Sequence, residues 1–207
     1  MVLHTHKLIF IHIPKCGGTS IEKKLNGFGK TECLCGWDKK NKFFLQHATC
    51  SELISLKLVD KKTFSSYFKC AFVRNPWDRY VSEYTWRIKY HNNFCEDKSI
   101  RDISFKDYLL KNFQWQEKSW EQHHRPQVDF ILNKKNKLMI DFIGRFEYLQ
   151  KDFDKICDIL GIEKGKLPHD FKTNHMDYTK YYNNQTRQIV AEKCAKDIKY
   201  FGYKFRV

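Results

Sequence analysis

The chain has 207 residues, 42% of them hydrophobic and 16% aromatic, enough for one folded domain whose core needs no disulfide or metal to hold it. No stretch approaches the roughly 20 apolar residues of a membrane span, and the N-terminus lacks the pattern of a secretory leader. A soluble chain is therefore expected, cytoplasmic if these residues are the full native protein, and its formal net charge of +14 points to anionic partners without choosing among nucleotide, acidic glycan, nucleic acid and phospholipid.

Residues 7–13 form a short, nearly continuous apolar run, the pattern of a strand buried on both faces of a parallel sheet. Pro14 and Gly17-Gly18 end it, Thr19 or Ser20 stands where it can cap a following helix, and Ile21 and Leu25 give that helix an apolar side. Gly27 and Gly29 close the helix, and residues 30–43 read as a mobile loop. A helix over residues 51–58 with Ser51 as N-cap follows. Residues 67–73 are a second buried strand, running straight into Arg74. Asn75 as cap, Pro76 at the first helical position and Asp78 in the first turn then open another helix.

Ser104 with Asp107 three residues later is a capping-box start for the next helix. Residues 128–132 and 138–143 flank the turn sequence Asn133-Lys134-Lys135-Asn136 and predict a hairpin. A helix over 146–160 ends at Gly161, and a last one over 186–201 ends at Gly202. This order predicts one domain over residues 1–207, a three-layer α/β fold of P-loop-like type with a mostly parallel central sheet flanked by helices.

Lysine runs near residues 39–42, 61–62 and 134–137 read as solvated surface. The eight cysteines show no disulfide spacing, and Cys70 and Cys157 sit in apolar patterns that suit reduced, buried thiols. Cys33, Cys35, His47 and Cys50 are four zinc-ligating types, but Cys-x-Cys with a long gap is not paired-knuckle spacing, and no metal site is assigned.

The first chemistry-bearing segment is Pro14-Lys15-Cys16-Gly17-Gly18-Thr19-Ser20, where strand, glycine turn and helix follow one another. Small residues let backbone approach an anion, and the N–H groups of Gly17, Gly18, Thr19 and Ser20 would face it. Lys15 precedes the glycines, whereas in GxxxxGK[ST] the lysine follows them, so this is a different phosphate loop. An ammonium 4 Å from a phosphate oxygen is worth about 4 kcal/mol at an effective dielectric near 20. The second segment is Arg74-Asn75-Pro76-Trp77-Asp78-Arg79-Tyr80-Val81-Ser82. Arg74 offers a planar fork for a phosphate, and Ser82 lies about 9 Å along the helix begun at Pro76. Arg74 could instead cap the sheet end through Asp78.

These two segments resemble the 5′-phosphosulfate loop and the 3′-phosphate motif of carbohydrate sulfotransferases, the Golgi-type and related bacterial enzymes that use 3′-phosphoadenosine 5′-phosphosulfate (PAPS). Gln46-His47-Ala48-Thr49, Asp141-Phe142-Ile143-Gly144-Arg145-Phe146-Glu147 and Tyr200-Phe201-Gly202-Tyr203 extend the likeness over nearly the whole chain. The usual family form has Thr where Cys16 stands, and a cysteine there can make the loop oxidation-sensitive. The resemblance implies sulfuryl transfer from PAPS to a hydroxyl, expected on a carbohydrate, with PAP as product and no metal. Lys15, Cys16, Gly17, Gly18, Thr19 and Ser20 would bind the phosphosulfate end, with Lys15 and the amides stabilising the leaving phosphate, and Arg74 and Ser82 would hold the 3′-phosphate.

His47 is chosen as general base, since a neutral imidazole accepts a proton near neutral pH and family members often place a histidine between the two motifs. A structural hydrogen bond is its alternative role, and His12, Glu83, His123 and His124 are competing bases. Arg145 and Glu147 at a strand end, and His124 and Arg125, are possible donor or acceptor contacts. Trp77, Trp86, Trp115, Trp120, Tyr181 and Tyr182 can stack on a base or sugar but equally suit a core. Two other functions fit the charge: a phosphotransferase, for which Asp141 is the available metal-binding carboxylate, and a non-catalytic polyanion-binding module. No nucleic-acid fold signature is present. Acceptor choice is expected to reside in residues 26–45 and 88–124.

Overall fold

The structure, a computed structural model, describes residues 1–94, 102–112, 118–168 and 176–206. In chain order these form β1 (Val2–Leu3), β2 (Leu8–Ile11), α1 (Gly18–Lys24), β3 (Trp37–Asp38), β4 (Phe43–Phe44), α2 (Cys50–Ser55), α3 (Lys61–Ser66) and β5 (Phe68–Val73). Then come α4 (Pro76–Phe94), α5 (Phe105–Asn112), α6 (Lys118–His124), α7 (Val128–Ile131), β6 (Phe142–Arg145), α8 (Leu149–Leu160), α9 (Asn184–Lys193) and α10 (Ala195–Phe201). The chain gathers into two units, one of residues 1–74 and 124–170, the other of 75–123 and 171–207.

The first unit holds the sheet, in the order β1-β2-β5-β6. β1 runs antiparallel to β2, while β2, β5 and β6 are mutually parallel, so the expected mostly parallel α/β sheet flanked by helices is present. Leu8, Ile9, Phe10 and Ile11 face Phe68 to Ala71 in register, and Val73 faces Arg145. Both faces are covered, since Leu8 to Ile11 and Cys70 to Val73 are essentially unexposed, which is why these strands read as unbroken apolar runs. The carboxyl ends of β2 and β5 deliver His12 and Arg74, the sheet edge where ligands of open α/β folds are met.

The second unit packs Trp77, Tyr80, Val81, Tyr108, Leu109, Tyr178 and Val190 into its own core. Asn75 caps α4 as the sequence predicts, its Oδ1 accepting from the Trp77 N–H at 3.1 Å. The Ser104 hydroxyl likewise accepts from the Asp107 N–H at 3.1 Å ahead of α5. Among the described residues no helix is long and apolar enough to cross a membrane. None of the seven described cysteines is in a disulfide and all are buried, and burial pushes the Cys50 and Cys194 thiols up to about 12.

Several local expectations are corrected. Gly17, not Thr19 or Ser20, is the N-cap of α1, because its left-handed backbone makes the turn without a side-chain cap. α2 starts one residue early under a capping box of Thr49 and Glu52, a T-x-x-E signature that outranks Ser51. Residues 30–43, expected as a loop, hold β3 and the first residue of β4, which pair antiparallel. Residues 128–131 form α7 rather than a strand, since four apolar-rich residues do not distinguish a buried helical turn from a strand. Only the bridge Leu132–Leu138 remains of that hairpin, and β6 pairs with β5 instead. The last helix breaks at Cys194, giving α9 and α10. Gly161 and Gly202 end their helices with φ of +64° and +68°, as expected of C-terminal glycines.

Gly144 of β6 lies flat against its register partner Phe72, whose ring occupies the space a Cβ would need. Gly144→Ala should therefore destabilise the protein by about 1–3 kcal/mol, the cost of overpacking a filled core. The measurement is a lowered urea midpoint with an unchanged denaturant slope.

Candidate active site

After β2 the chain turns through Lys15, at φ +66°, and Gly17, at φ +84°, a conformation uncommon for lysine and easy for glycine. Close approach fixes both glycines. A Cβ on Gly17 would lie 2.8 Å from Leu149 Cδ2, and one on Gly18 would fall inside the imidazole of His12. The Gly18 and Thr19 amides belong to the first turn of α1, where N–H groups have no acceptor within the helix. The Ser20 amide is turned back instead and donates to the Gly17 carbonyl at 3.2 Å. The Ser20 side chain is buried, yet its hydroxyl makes no hydrogen bond to a described residue. Lys15 is half-buried on the loop.

Cys16 points into the protein. It is 1% exposed, and its thiol donates to Gln127 Oε1 at 3.3 Å and approaches the Pro14 carbonyl at 3.5 Å. Only its backbone can line the loop, which corrects the expectation of an oxidation-prone thiol facing a ligand. The same Gln127 Oε1 accepts the Arg74 N–H at 2.8 Å, while Gln127 Nε2 donates to the Arg74 carbonyl at 2.9 Å. A fully buried side-chain amide thus substitutes for a neighbouring strand at the end of β5 and ties it to the loop.

Arg74 is buried, its Nη1 donates to the Lys15 carbonyl at 3.1 Å, and its guanidinium lies 3.9 Å from the centroid of the Phe146 ring. The loop and the Arg74 side chain are therefore together in one unit. Gln127 and Phe146 were missed as site residues. A glutamine after a proline and a phenylalanine in an apolar pattern carry no marking of their own.

His47 sits at the end of a short 3₁₀ turn, buried, with Nδ1 3.0 Å from the His12 carbonyl. A carbonyl only accepts, so Nδ1 carries the proton and Nε2 of the neutral ring is the basic nitrogen. The His12 ring meets the His47 ring edge to face at 4.7 Å between centroids, and its own Nδ1 lies 2.9 Å from Glu22 Oε1. Burial pushes the Glu22 carboxyl up, but the charge and hydrogen bond of His12 outweigh it and hold that carboxyl below its usual range. Base candidate, loop glycine and buried carboxylate form one connected cluster.

The other candidates lie in different surroundings. Glu83 is 1% exposed and is shared by Arg87 and by His123, whose Nδ1 is 3.0 Å away. Burial and, after it, the Glu83 charge push the neighbouring Tyr108 hydroxyl far up. His124 ends α6 half-buried, and Arg125 pairs with Glu52 at 3.0 Å. Arg145 closes β6 with its N–H donating to Asp152 Oδ2 at 2.9 Å, and Glu147 is exposed in the turn after it. Asp141 pairs with Lys69 at 3.0 Å.

Ser82 lies on α4, 5% exposed, and like Ser20 its hydroxyl makes no hydrogen bond to a described residue. Trp77 donates to the Arg187 carbonyl at 3.0 Å and accepts the Tyr182 hydroxyl at its own carbonyl, and Tyr181 packs on Tyr84 and Phe105, so these rings are core. Trp86 stands 6.1 Å from the His123 ring. Trp115 and the Trp120 side chain lie outside the described residues.

Gln127→Ala should remove the two hydrogen bonds that Gln127 makes to the buried Arg74 N–H and carbonyl, at about 1–3 kcal/mol for each, read as a lowered urea midpoint. Glu22→Gln should remove an acid-range contribution. A carboxyl whose folded pKa is depressed stabilises fully above its unfolded value of about 4.3 and loses that effect as pH falls through the folded value. The stability difference between wild type and Glu22→Gln, measured by urea titration, should accordingly shrink as pH falls below about 4.3.

The chain is 24% identical to human carbohydrate sulfotransferase 9 over 225 aligned residues, covering 93% of this chain and 46% of that protein. It is also 24% identical to chicken (Gallus gallus) carbohydrate sulfotransferase 10 over 242 aligned residues, covering 98% of this chain and 66% of that protein. The chain thus spans about half and about two thirds of the lengths of these curated relatives. A crystal structure of mouse sulfotransferase SULT7A1 complexed with PAP aligns at a TM-score of 0.48 and 16% identity, over 93% of this chain and 83% of that one. The model of the sulfotransferase family matches residues 1–204, nearly the full length, and the chain belongs to that family.

Proposed function

We propose that residues 1–207 act as one sulfotransferase domain that moves a sulfuryl group from PAPS to a hydroxyl of a carbohydrate acceptor. Lys15 and the backbone of Cys16, Gly17, Gly18 and Thr19, with the Ser20 hydroxyl, bind the 5′-phosphosulfate, and Arg74 and Ser82 bind the 3′-phosphate. The observation that carries this reading is a pair of orphaned hydroxyls: Ser20 and Ser82 are both buried, neither bonds a described residue, and each stands in one of the two phosphate motifs. A buried hydroxyl without a partner costs free energy that a bound phosphate oxygen recovers. The glycine contacts add to the fit, since a side chain at Gly17 or Gly18 would displace Leu149 or His12 and move the loop.

In the transfer, the acceptor oxygen attacks sulfur from the side opposite the phosphate. The oxygen–sulfur bond forms as the sulfur–phosphate oxygen bond breaks, and the hydroxyl proton passes to His47 Nε2. His47 is poised for that role because the His12 carbonyl holds its other nitrogen protonated. Lys15 and the loop amides neutralise the charge that develops on the departing phosphate. Arg145, Glu147, His124 and Arg125 are retained as donor or acceptor contacts. The carbohydrate acceptor is supported by the two curated relatives, both named carbohydrate sulfotransferases.

Thermal-shift titration should show stabilisation by PAP and none by ATP with Mg²⁺; the reverse preference would overturn the donor assignment. Lys15→Ala should abolish transfer of label from radiolabelled PAPS while leaving the fold intact. His47→Ala should keep PAP affinity and lower turnover by about two to four powers of ten, as for loss of a general base. Unchanged turnover in that variant would remove His47 from the chemistry.

A further inference from the structure

We infer that the β3–β4 hairpin is the acceptor platform, with Trp37 stacking on a pyranose face of an anionic saccharide while Lys39, Lys40 and Lys42 hold its carboxylate or sulfate. The inference rests on the sulfuryl-transfer reading and names the acceptor class for that same site. Trp37 is 46% exposed, and among the described residues only Phe28, Tyr148 and Tyr200 leave an aromatic ring similarly open to solvent. It is not loose. Its cross-strand partner Phe44 meets it edge to face at 4.9 Å between centroids, and Phe44 in turn stands edge to face on His47 at 6.4 Å. An exposed indole face is therefore joined by two ring contacts to the proposed base, all within one unit.

The hairpin tip is pre-organised and cationic. The Asp38 carboxylate accepts the Lys40 and Asn41 N–H groups at 2.9 and 3.1 Å and the Asn41 side-chain amide at 2.7 Å, which shapes the turn. Lys39, Lys40 and Lys42 are exposed on this turn, and none of them has a salt bridge to a described residue. A flat apolar ring beside three exposed ammonium groups, against the single carboxylate of Asp38 in the same turn, matches a sugar ring that carries negative charge. The ring covers the apolar face of the pyranose, and the lysines answer its acid group. A neutral oligosaccharide would use only the first of these contacts. Single-stranded nucleic acid is the competing occupant for such a surface, but stacked bases do not explain why the aromatic series leads to a general base.

The test uses the full chain, with chondroitin tetrasaccharide as carboxylated probe, tetra-N-acetylchitotetraose as neutral probe and a dT oligonucleotide as competitor class. The Trp37 indole N–H resonance, assigned by its loss in Trp37→Tyr, should shift on adding chondroitin tetrasaccharide. Trp37→Ala should weaken that binding at least tenfold, Trp37→Tyr should restore most of it, and PAP affinity should stay within twofold in both. Replacing Lys39, Lys40 and Lys42 by Gln should weaken the carboxylated probe about tenfold, reduce its salt dependence and leave the neutral probe unchanged. Absence of an indole shift with either saccharide, wild-type affinity in Trp37→Ala, or a shift produced by dT alone would overturn the proposal. Because saccharide binding is read without turnover and PAP binding is read separately, failure of the platform and failure of the donor assignment give different results.

Discussion

The site depends on the contact between the His12 imidazole and Gly18, where ring and backbone meet so closely that no side chain fits between them. The ring is held from the far side by Glu22 of α1, the helix that Gly18 itself begins. The His12 carbonyl meanwhile fixes the proton on His47. One buried residue at the end of β2 thus sets the path of the glycine loop and the tautomer of the proposed base together. That arrangement gives the close-packed interior a chemical purpose, because a packed ring has few positions to choose from and passes its position to what it touches.

Gln127 performs the corresponding task for the second cation. Arg74 leaves the sheet where strand pairing ends, and there its buried N–H and carbonyl both pair with the Gln127 side chain. A glutamine amide supplies donor and acceptor at once and keeps one lone pair for the Cys16 thiol. The guanidinium is then steadied by the Lys15 carbonyl and the Phe146 ring. Arginine can present a planar fork to a phosphate only if its stem and backbone are held, and here both are.

Much of this was legible in the sequence, and the boundary has a physical basis. Strands β2 and β5 were readable because they are buried on both faces and so lack polar interruptions. The helix after Asn75-Pro76 was readable because capping is a local matter. The glycine turn between β2 and α1 was readable, but not its cap, since the choice between a serine hydroxyl and a left-handed glycine depends on Leu149 and His12, distant in sequence. Gln127, Phe146 and Glu22 belong to the same category. Their roles come from partners brought near by the sheet, and nothing in residue type or spacing marks them. Residues 128–131 failed for another reason, since an apolar stretch of four supports either period.

The thiols add one more property. Burial keeps Cys50 and Cys194 protonated far above physiological pH, and the nucleophile in thiol chemistry is the thiolate. An alkylating reagent therefore meets a buried, protonated thiol at each position, so the rates of labelling at Cys50 and at Cys194 would report local opening around each sulfur.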